Sequence, residues 1–205
     1  FEFWRHYPPF CFVPVTFSAI LGYTAMGIVR KPNVTEVAAM KSLLDRAVKE
    51  GNVLPRALPE LYENARDFHV YVDEQGIGGC VALHIDMAEL AEVRSLVVRE
   101  DLRGQGVGEK LVNAVVMEAR WLRIPRVYAL TRVPGFFVKS GFYTVEKHEL
   151  PYKVFKDCMR CRLFPGCDEI AMVRDLVPNP AQELSAPREA VGAGFLLEAH
   201  LSEGR

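Results

Sequence analysis

Apolar positions recur along this chain with two periods, and the elements change where the period changes. Val37, Met40, Leu44, Ala47 and Val48 are spaced as one face of a helix. Asn33 with Glu36 three residues later forms a capping pair at its start, and Gly51 ends it. A shorter helix is predicted over 59–66. The pattern then turns to alternation over 68–72, reverses at Asp73-Glu74-Gln75-Gly76 and returns over 79–85, which predicts a β-hairpin. Residues 92–98 read as a further strand. Helical spacing resumes from near Val107 to near Leu122, with Val107, Leu111, Val115, Ala119 and Leu122 on one face. Short strands are predicted at 27–30, 126–130, 143–145 and 170–173. One helical turn is expected at 135–139, closed by Gly141-Phe142, and another at 151–158. Strands alternating with helices around one hairpin predict an α/β fold, a mixed sheet flanked by helices.

The two ends depart from this pattern. Residues 7–29 carry no charge, a length that suggests a membrane span. Pro8, Pro9 and Pro14 interrupt it, Gly22 and Gly27 dilute it, and Arg5 with His6 makes a thin basic region for a signal peptide. Residues 1–25 are therefore expected to be an apolar extension outside the folded domain, with a membrane anchor or targeting segment as the alternatives. Membrane contact is expected only if that segment is native. The domain itself is expected over 26–177. Residues 178–205, rich in Pro, Ala and Glu, are expected to be a flexible tail, with Phe195-Leu196-Leu197 docking as a short helix the alternative.

Composition narrows the partners. A chain of 205 residues, half of them hydrophobic, suits one domain with a full core. A net charge of −1 offers no basic field for nucleic acid. Five cysteines, an odd number in no secreted framework, point to a reducing compartment and a cytoplasmic location.

The most informative stretch is Arg103-Gly104-Gln105-Gly106-Val107-Gly108, between the strand at 92–98 and the long helix. A glycine-rich loop at a helix start leaves backbone N–H groups without acceptors where the helix dipole favours negative charge. Such a loop is suited to phosphate, and glycine lets the anion come close. The ligand should lie at the carboxyl end of the strand.

Arg103-x-x-Gly106-x-Gly108 behind Leu96-Val97-Val98, with Gly141-Phe142 downstream, resembles the acyl-CoA loop and the "GF" of the GNAT acetyltransferases. Within them the chain is similar to the short, single-domain N-acetylglutamate synthases of bacteria. The matching pieces are Leu54-Pro55-Arg56, Glu60-Leu61-Tyr62-Glu63-Asn64, Arg66-Asp67-Phe68, 91–96, Ala129-Leu130-Thr131 and the run 150–173 with its three cysteines. The resemblance implies a GNAT fold, largely antiparallel, with acetyl-CoA as co-substrate. It implies acetyl transfer to the α-amine of an amino acid, glutamate foremost. Another small amine, a protein N-terminus, or acyl-CoA binding without catalysis are the alternatives. A homodimer is compatible with it.

The same resemblance suggests site residues. Backbone groups of Leu96, Val97 and Val98 would hold the pantetheine and polarise the thioester. Those of Arg103, Gly104, Gln105, Gly106, Val107 and Gly108 would take the pyrophosphate, with the Arg103 side chain adding a cation. A neutral amine is needed for attack, so a base is required. Glu92 is the candidate, and strand alternation puts Arg94 on its face, as a substrate carboxylate binder or simply as an ion-pair partner. Arg56 is the foremost carboxylate binder, because the resemblance places a substrate-binding arginine in this loop and a guanidinium matches a carboxylate in bidentate fashion; an exposed loop arginine is the alternative. Lys153 is a second candidate. The family's usual acid, a tyrosine four residues before the Gly of Gly-Phe, is replaced by Phe137. Thr131 is taken as its substitute, with Tyr143 and Tyr152 as alternatives. Cys158-x-x-Cys161 followed by Cys167 looks metal-like, but structural zinc takes four ligands. Only His148 and Asp168 offer themselves as the fourth, so no metal is assigned and redox-sensitive or packed thiols are preferred. His84 is expected to be a packed or wall-lining histidine rather than a catalyst.

Overall fold

The computed structural model describes residues 27–51, 53–150, 158–161 and 166–178. The predicted extension, most of the predicted turn at 151–158, and the predicted tail, apart from Pro178, lie outside them, as do Tyr152 and Lys153. Among the described residues no helix is long and apolar enough to cross a membrane.

Seven strands form one sheet: β1 (Ile28–Arg30), β2 (Phe68–Asp73), β3 (Gly76–Met87), β4 (Leu90–Val98), β5 (Arg126–Thr131), β6 (Tyr143–Val145) and β7 (Ile170–Asp175), in the order β1-β2-β3-β4-β5-β7-β6. Every pairing is antiparallel except β4 with β5. Among the described residues four α-helices accompany it: α1 (Val37–Lys49), α2 (Leu58–Glu63), α3 (Val107–Trp121) and α4 (Pro134–Lys139). The mixed, mostly antiparallel sheet is the one expected.

Local rules account for the boundaries. The Asn33 N–H donates to the Glu36 carboxylate at 2.7 Å, and Gly51 stands at φ +76° beyond the end of α1. The single helix expected over 59–66 divides instead into α2 and a 3₁₀ turn at Ala65–Asp67, with Asn64 out of helical geometry between them. In α3 the buried stripe is wider than predicted, because Val112 and Val116 join Val107, Leu111, Val115 and Ala119. Leu122 leaves that face: it is the residue after the helix and is 39% exposed. Leu111 is fully buried, so trimming it to Ala would cost about 2–5 kcal/mol.

The sheet separates two main cores. On one face α3 covers Val81, Leu83, Ala91, Val93, Val127, Ala129 and Met172. On the other, α1 and Leu61 of α2 cover Phe68, Val70, Cys80, Ala82 and Val97. Gly79 lets α3 approach, since a Cβ there would stand 2.9 Å from Leu111.

Candidate active site

Two irregularities in β4 open the molecule. Ala82 pairs with Arg94 but Cys80 pairs with Val97, so two residues of β4 answer one of β3. This is a β-bulge, and Ser95 within it has φ +55°, a rare value for a residue with a side chain. The bulge reverses the parity of the strand. Before it, Ala91 and Val93 face α3; after it, Leu96 and Val98 do, and Val97 faces α1. The simple alternation through 92–98 therefore holds for Glu92 and Arg94 and fails beyond them. The second irregularity is on the other edge. β4 and β5 pair in parallel only from Leu90 to Glu92, against Arg126 to Tyr128, although both strands run on. The strands part there, and a cavity of about 750 Å³ lies between and in front of them.

One end of this cavity is made by backbone. The Arg99 N–H donates to the Gly78 carbonyl at 2.7 Å, so strand alternation turns the N–H and C=O of Val98 away from β3 and those of Val97 toward it. The Arg103 side chain donates to the Val98 carbonyl at 3.2 Å and pairs with Glu50 at 2.7 Å. Gly104 and Gly106 stand at φ +79° and +77°, values that glycine takes at no steric cost. Gly106 is the residue before α3 and brings no side-chain cap to it, so the first N–H groups of a 15-residue helix remain to take an anion. Val98, Arg103, Gly104, Gly106, Val107 and Gly108 all line the cavity. Gln105 does not; its side chain donates to the Asp101 carbonyl at 2.6 Å.

The other end is made by side chains. Glu92 is 5% exposed and its carboxylate lies 3.7 Å from the Arg94 guanidinium. Arg56, before α2, donates to the Ser95 hydroxyl at 2.9 Å and pairs with Glu60. Thus the residue forced into a positive φ also orients the arginine. Thr131 is buried at the end of β5, its hydroxyl accepting the Val133 N–H at 3.0 Å. All four line the cavity.

Arg132, Glu169 and the three cysteines complete that wall and went unrecognised as parts of one site. Arg132 pairs with Asp168 at 2.8 Å and lies 4.0 Å from Glu169. The reach of the 150–173 run back onto β5 was their only sequence signal.

Phe137 lines the cavity as well, while the remaining candidates fall elsewhere. Phe137 is buried, edge-on to Phe136 and to Phe142 with ring centres 5.2 Å apart in each case, and brings no acid. Tyr143 is spent on Asp175 at 2.7 Å, and Asp175 holds its hydroxyl proton on; the residue does not line the cavity. His84 is 2.9 Å from Asp67, outside the cavity lining. Among the described residues no group of three or more His, Cys, Asp or Glu is placed to hold a metal ion.

A parted parallel strand pair beside a glycine-capped helix defines an acyl-transferase cleft of the GNAT type. Residues 64–144 match the model of the acetyltransferase (GNAT) domain. An uncharacterized N-acetyltransferase of Chlorobaculum tepidum is 34% identical over 148 residues, 72% of this chain and 96% of that protein. An amino-acid acetyltransferase of Mycobacterium tuberculosis is 32% identical over 136 residues, 65% and 78% of the two chains. A solved M. tuberculosis protein in complex with CoA and NLQ superposes with a TM-score of 0.65 at 27% identity, covering 73% of this chain and 99% of that one. N-acetylglutamate synthase from Neisseria gonorrhoeae, complexed with CoA and N-acetyl-glutamate, does so at 0.67 and 25% identity, over 75% and 36%. The chain belongs to the GNAT acetyltransferase family.

Proposed function

We propose that this protein transfers acetyl from acetyl-CoA to the α-amine of an amino acid, with glutamate the foremost acceptor. The observation that carries the reading is that both ends of one cavity are chemically complementary to such a pair of substrates. The backbone end offers the N–H groups of Gly104, Gly106, Val107 and Gly108 to a pyrophosphate, those of Arg103 and Gln105 being taken by the Glu100 and Leu102 carbonyls, and the parted edge of β4 to an amide-bearing pantetheine arm. A side chain in place of Gly104 or Gly106 would have to adopt a positive φ, so the cradle fits a ligand that needs the backbone itself. The side-chain end offers two guanidinium groups, Arg56 and Arg94, to an acceptor with two carboxylates.

At the moment of attack the amine must shed a proton. Glu92 takes it, directly or through water, and Arg94, 3.7 Å away, aligns that carboxylate. The thioester oxygen gains negative charge as the amine adds, and a β4 N–H turned into the cleft stabilises it. Val98 supplies one by strand alternation. The departing CoA thiolate can leave unprotonated, and the Thr131 hydroxyl is the donor in place to meet it, since Phe137 brings none. Similarity to the named amino-acid acetyltransferase and to the synthase solved with N-acetyl-glutamate supports the acceptor class. We take 26–177 as the catalytic unit, and Lys153, by family resemblance, as a further acceptor-binding residue.

The test is thiol release from acetyl-CoA across a panel of free amino acids, other small amines and peptides. Turnover with glutamate and none with peptides is expected. If glutamate and its analogues are all inert while another amine turns over, the acceptor assignment fails. If CoA binds and no amine turns over, the chain is an acyl-CoA-binding module.

A further inference from the structure

We propose that Cys158 and Cys161 form a dithiol site in the cleft wall that undergoes thiol–disulfide exchange with the disulfide of CoA. This inference rests on the assignment of CoA to the backbone end of the cleft. Three observations lead to it.

The first is position. Cys158 and Cys161 line the same cavity as Gly104, Gly106 and Thr131, so a ligand held by the loop shares its space with both thiols. The second is local geometry. Cys158–Arg160 is a 3₁₀ turn, and the Cys161 N–H donates to the Cys158 carbonyl at 3.0 Å. In such a turn residues three apart eclipse, at a rise of about 2.0 Å each, so their Cα atoms stand roughly 6 Å apart. A disulfide spans Cα separations of about 4.4–6.8 Å. The two cysteines are thus placed to bridge, and both are half-buried. The third is contrast within the chain. Cys80 is fully buried between β3 and α1, and burial pushes its thiol up to about 12, which makes it inert at neutral pH. Cys167 lines the cleft as well, but its thiol lies 3.8 Å from the Glu169 carboxylate, to which it donates, and it is six positions beyond Cys161.

The exchange balances without a further oxidant. The thiolate of one cysteine attacks a sulfur of CoA disulfide, that S–S bond breaks, and one CoA thiolate leaves. The second cysteine, as thiolate, attacks the protein sulfur of the mixed disulfide and expels the second CoA thiolate. Two protein thiols are oxidised by two electrons, CoA disulfide is reduced to two CoA thiols, and the two cysteine protons end on them. Acetyl transfer releases CoA thiol at this place, so its oxidised dimer is a ligand the cleft already has the means to hold.

The test uses the full chain carrying Cys11→Ser, treated with CoA disulfide and, in parallel, with glutathione disulfide. Two CoA thiols released per chain, and a Cys158–Cys161 bridge on peptide mapping, are expected. So is a rate above that with glutathione disulfide by at least about tenfold, the order expected when binding delivers the reactant. Desulfo-CoA, which fills the cleft without a thiol, should slow the reaction. Cys158→Ser should stop at a mixed disulfide on Cys161. A bridge involving Cys80 or Cys167, no bridge, or equal rates with the two disulfides overturns the proposal. Calorimetry with desulfo-CoA separates this from the cofactor assignment. No binding sinks that assignment and this proposal together, whereas binding without bridge formation sinks the dithiol site alone.

Discussion

The two ends of the cleft are built from different materials. The proposed cofactor end is backbone: Val98, two glycines at positive φ and the first turn of α3. The proposed acceptor end is side chain: Glu92 and Arg94 on one strand, Arg56 from a loop 36 positions earlier in the chain than Glu92, and Thr131 from β5. A backbone site recognises what every acyl-CoA shares, and a neighbouring side chain can change without disturbing it. A side-chain site recognises what distinguishes one acceptor from another, and each of its members is held by a partner of its own. Arg56 leans on Ser95 and Glu60, Arg94 on Glu92, and Arg132 on Asp168. On that assignment, generality and selectivity are kept apart within one cavity.

That division can be broken by substitution. The largest effect is expected from Glu92→Gln, which leaves the shape and removes the proposed base. Initial-rate kinetics should show kcat lowered on the order of a hundredfold or more, with the KM for acetyl-CoA unchanged. An unaltered kcat would reduce Glu92 to a partner for Arg94 and leave the chemistry to the backbone end. Arg56→Ala comes next. Losing a hydrogen bond to a charged group costs about 1.5–3 kcal/mol, so the acceptor KM should rise roughly tenfold to a hundredfold. The acetyl-CoA KM should not follow it; if both rise together, the two ends are not independent. Gly106→Val tests the opposite end. Forcing a β-branched residue into the left-handed region costs about 1–2 kcal/mol, which should raise the acetyl-CoA KM about tenfold and leave acceptor selectivity in place.

The smallest effect concerns the scaffold both ends share. Burial and the nearby Lys31 lower His69 to about 4. The Glu118 carboxylate 3.6 Å away would favour its protonation, but Glu118 is already paired with Lys31 at 2.7 Å. A histidine depressed in the folded state binds its proton more readily when unfolded. Stability is therefore lost as the pH falls from the ordinary histidine value toward about 4. With allowance for solvent screening, the loss between about pH 7 and about pH 5 is on the order of 1 kcal/mol. His69→Gln should flatten that slope in chemical denaturation, and a slope unchanged by the substitution would assign the acid sensitivity elsewhere. The Arg30 guanidinium holds the Glu36 carboxyl down at about 2, so its contribution fades at lower pH, between the usual carboxylate range and about 2.

The same division explains what could be read from residues alone. The backbone end was legible because glycines in a row before an amphipathic helix have few other uses. The cap at Asn33, the αL residue at Gly51 and the turn at Gly141 were legible for the same reason: local chemistry decides them. Glu92 and Arg94 could be paired because alternation holds on their side of the bulge. The bulge itself was hidden. Ser95 is an ordinary strand-compatible residue, and only its partner strand reveals that one position is in excess. The wall formed by Arg132, Glu169 and the cysteines was hidden too, since it depends on β7 pairing against β5 rather than on any local pattern. Leu122 was misplaced by one position, because a helix end is set by its last hydrogen bonds and not by the apolar period.

The extra residue in β4 also has a consequence for length. Removing Ser95 would erase this bulge in the ladder with β3, leave Leu96 and Val98 on the side they already face and release Arg56 from its anchor. The edited sheet would be more regular than the natural one. Thermal melting should find such a deletion folded while turnover disappears. In this strand, miscounting by one is what separates an enzyme from a well-formed β-sheet.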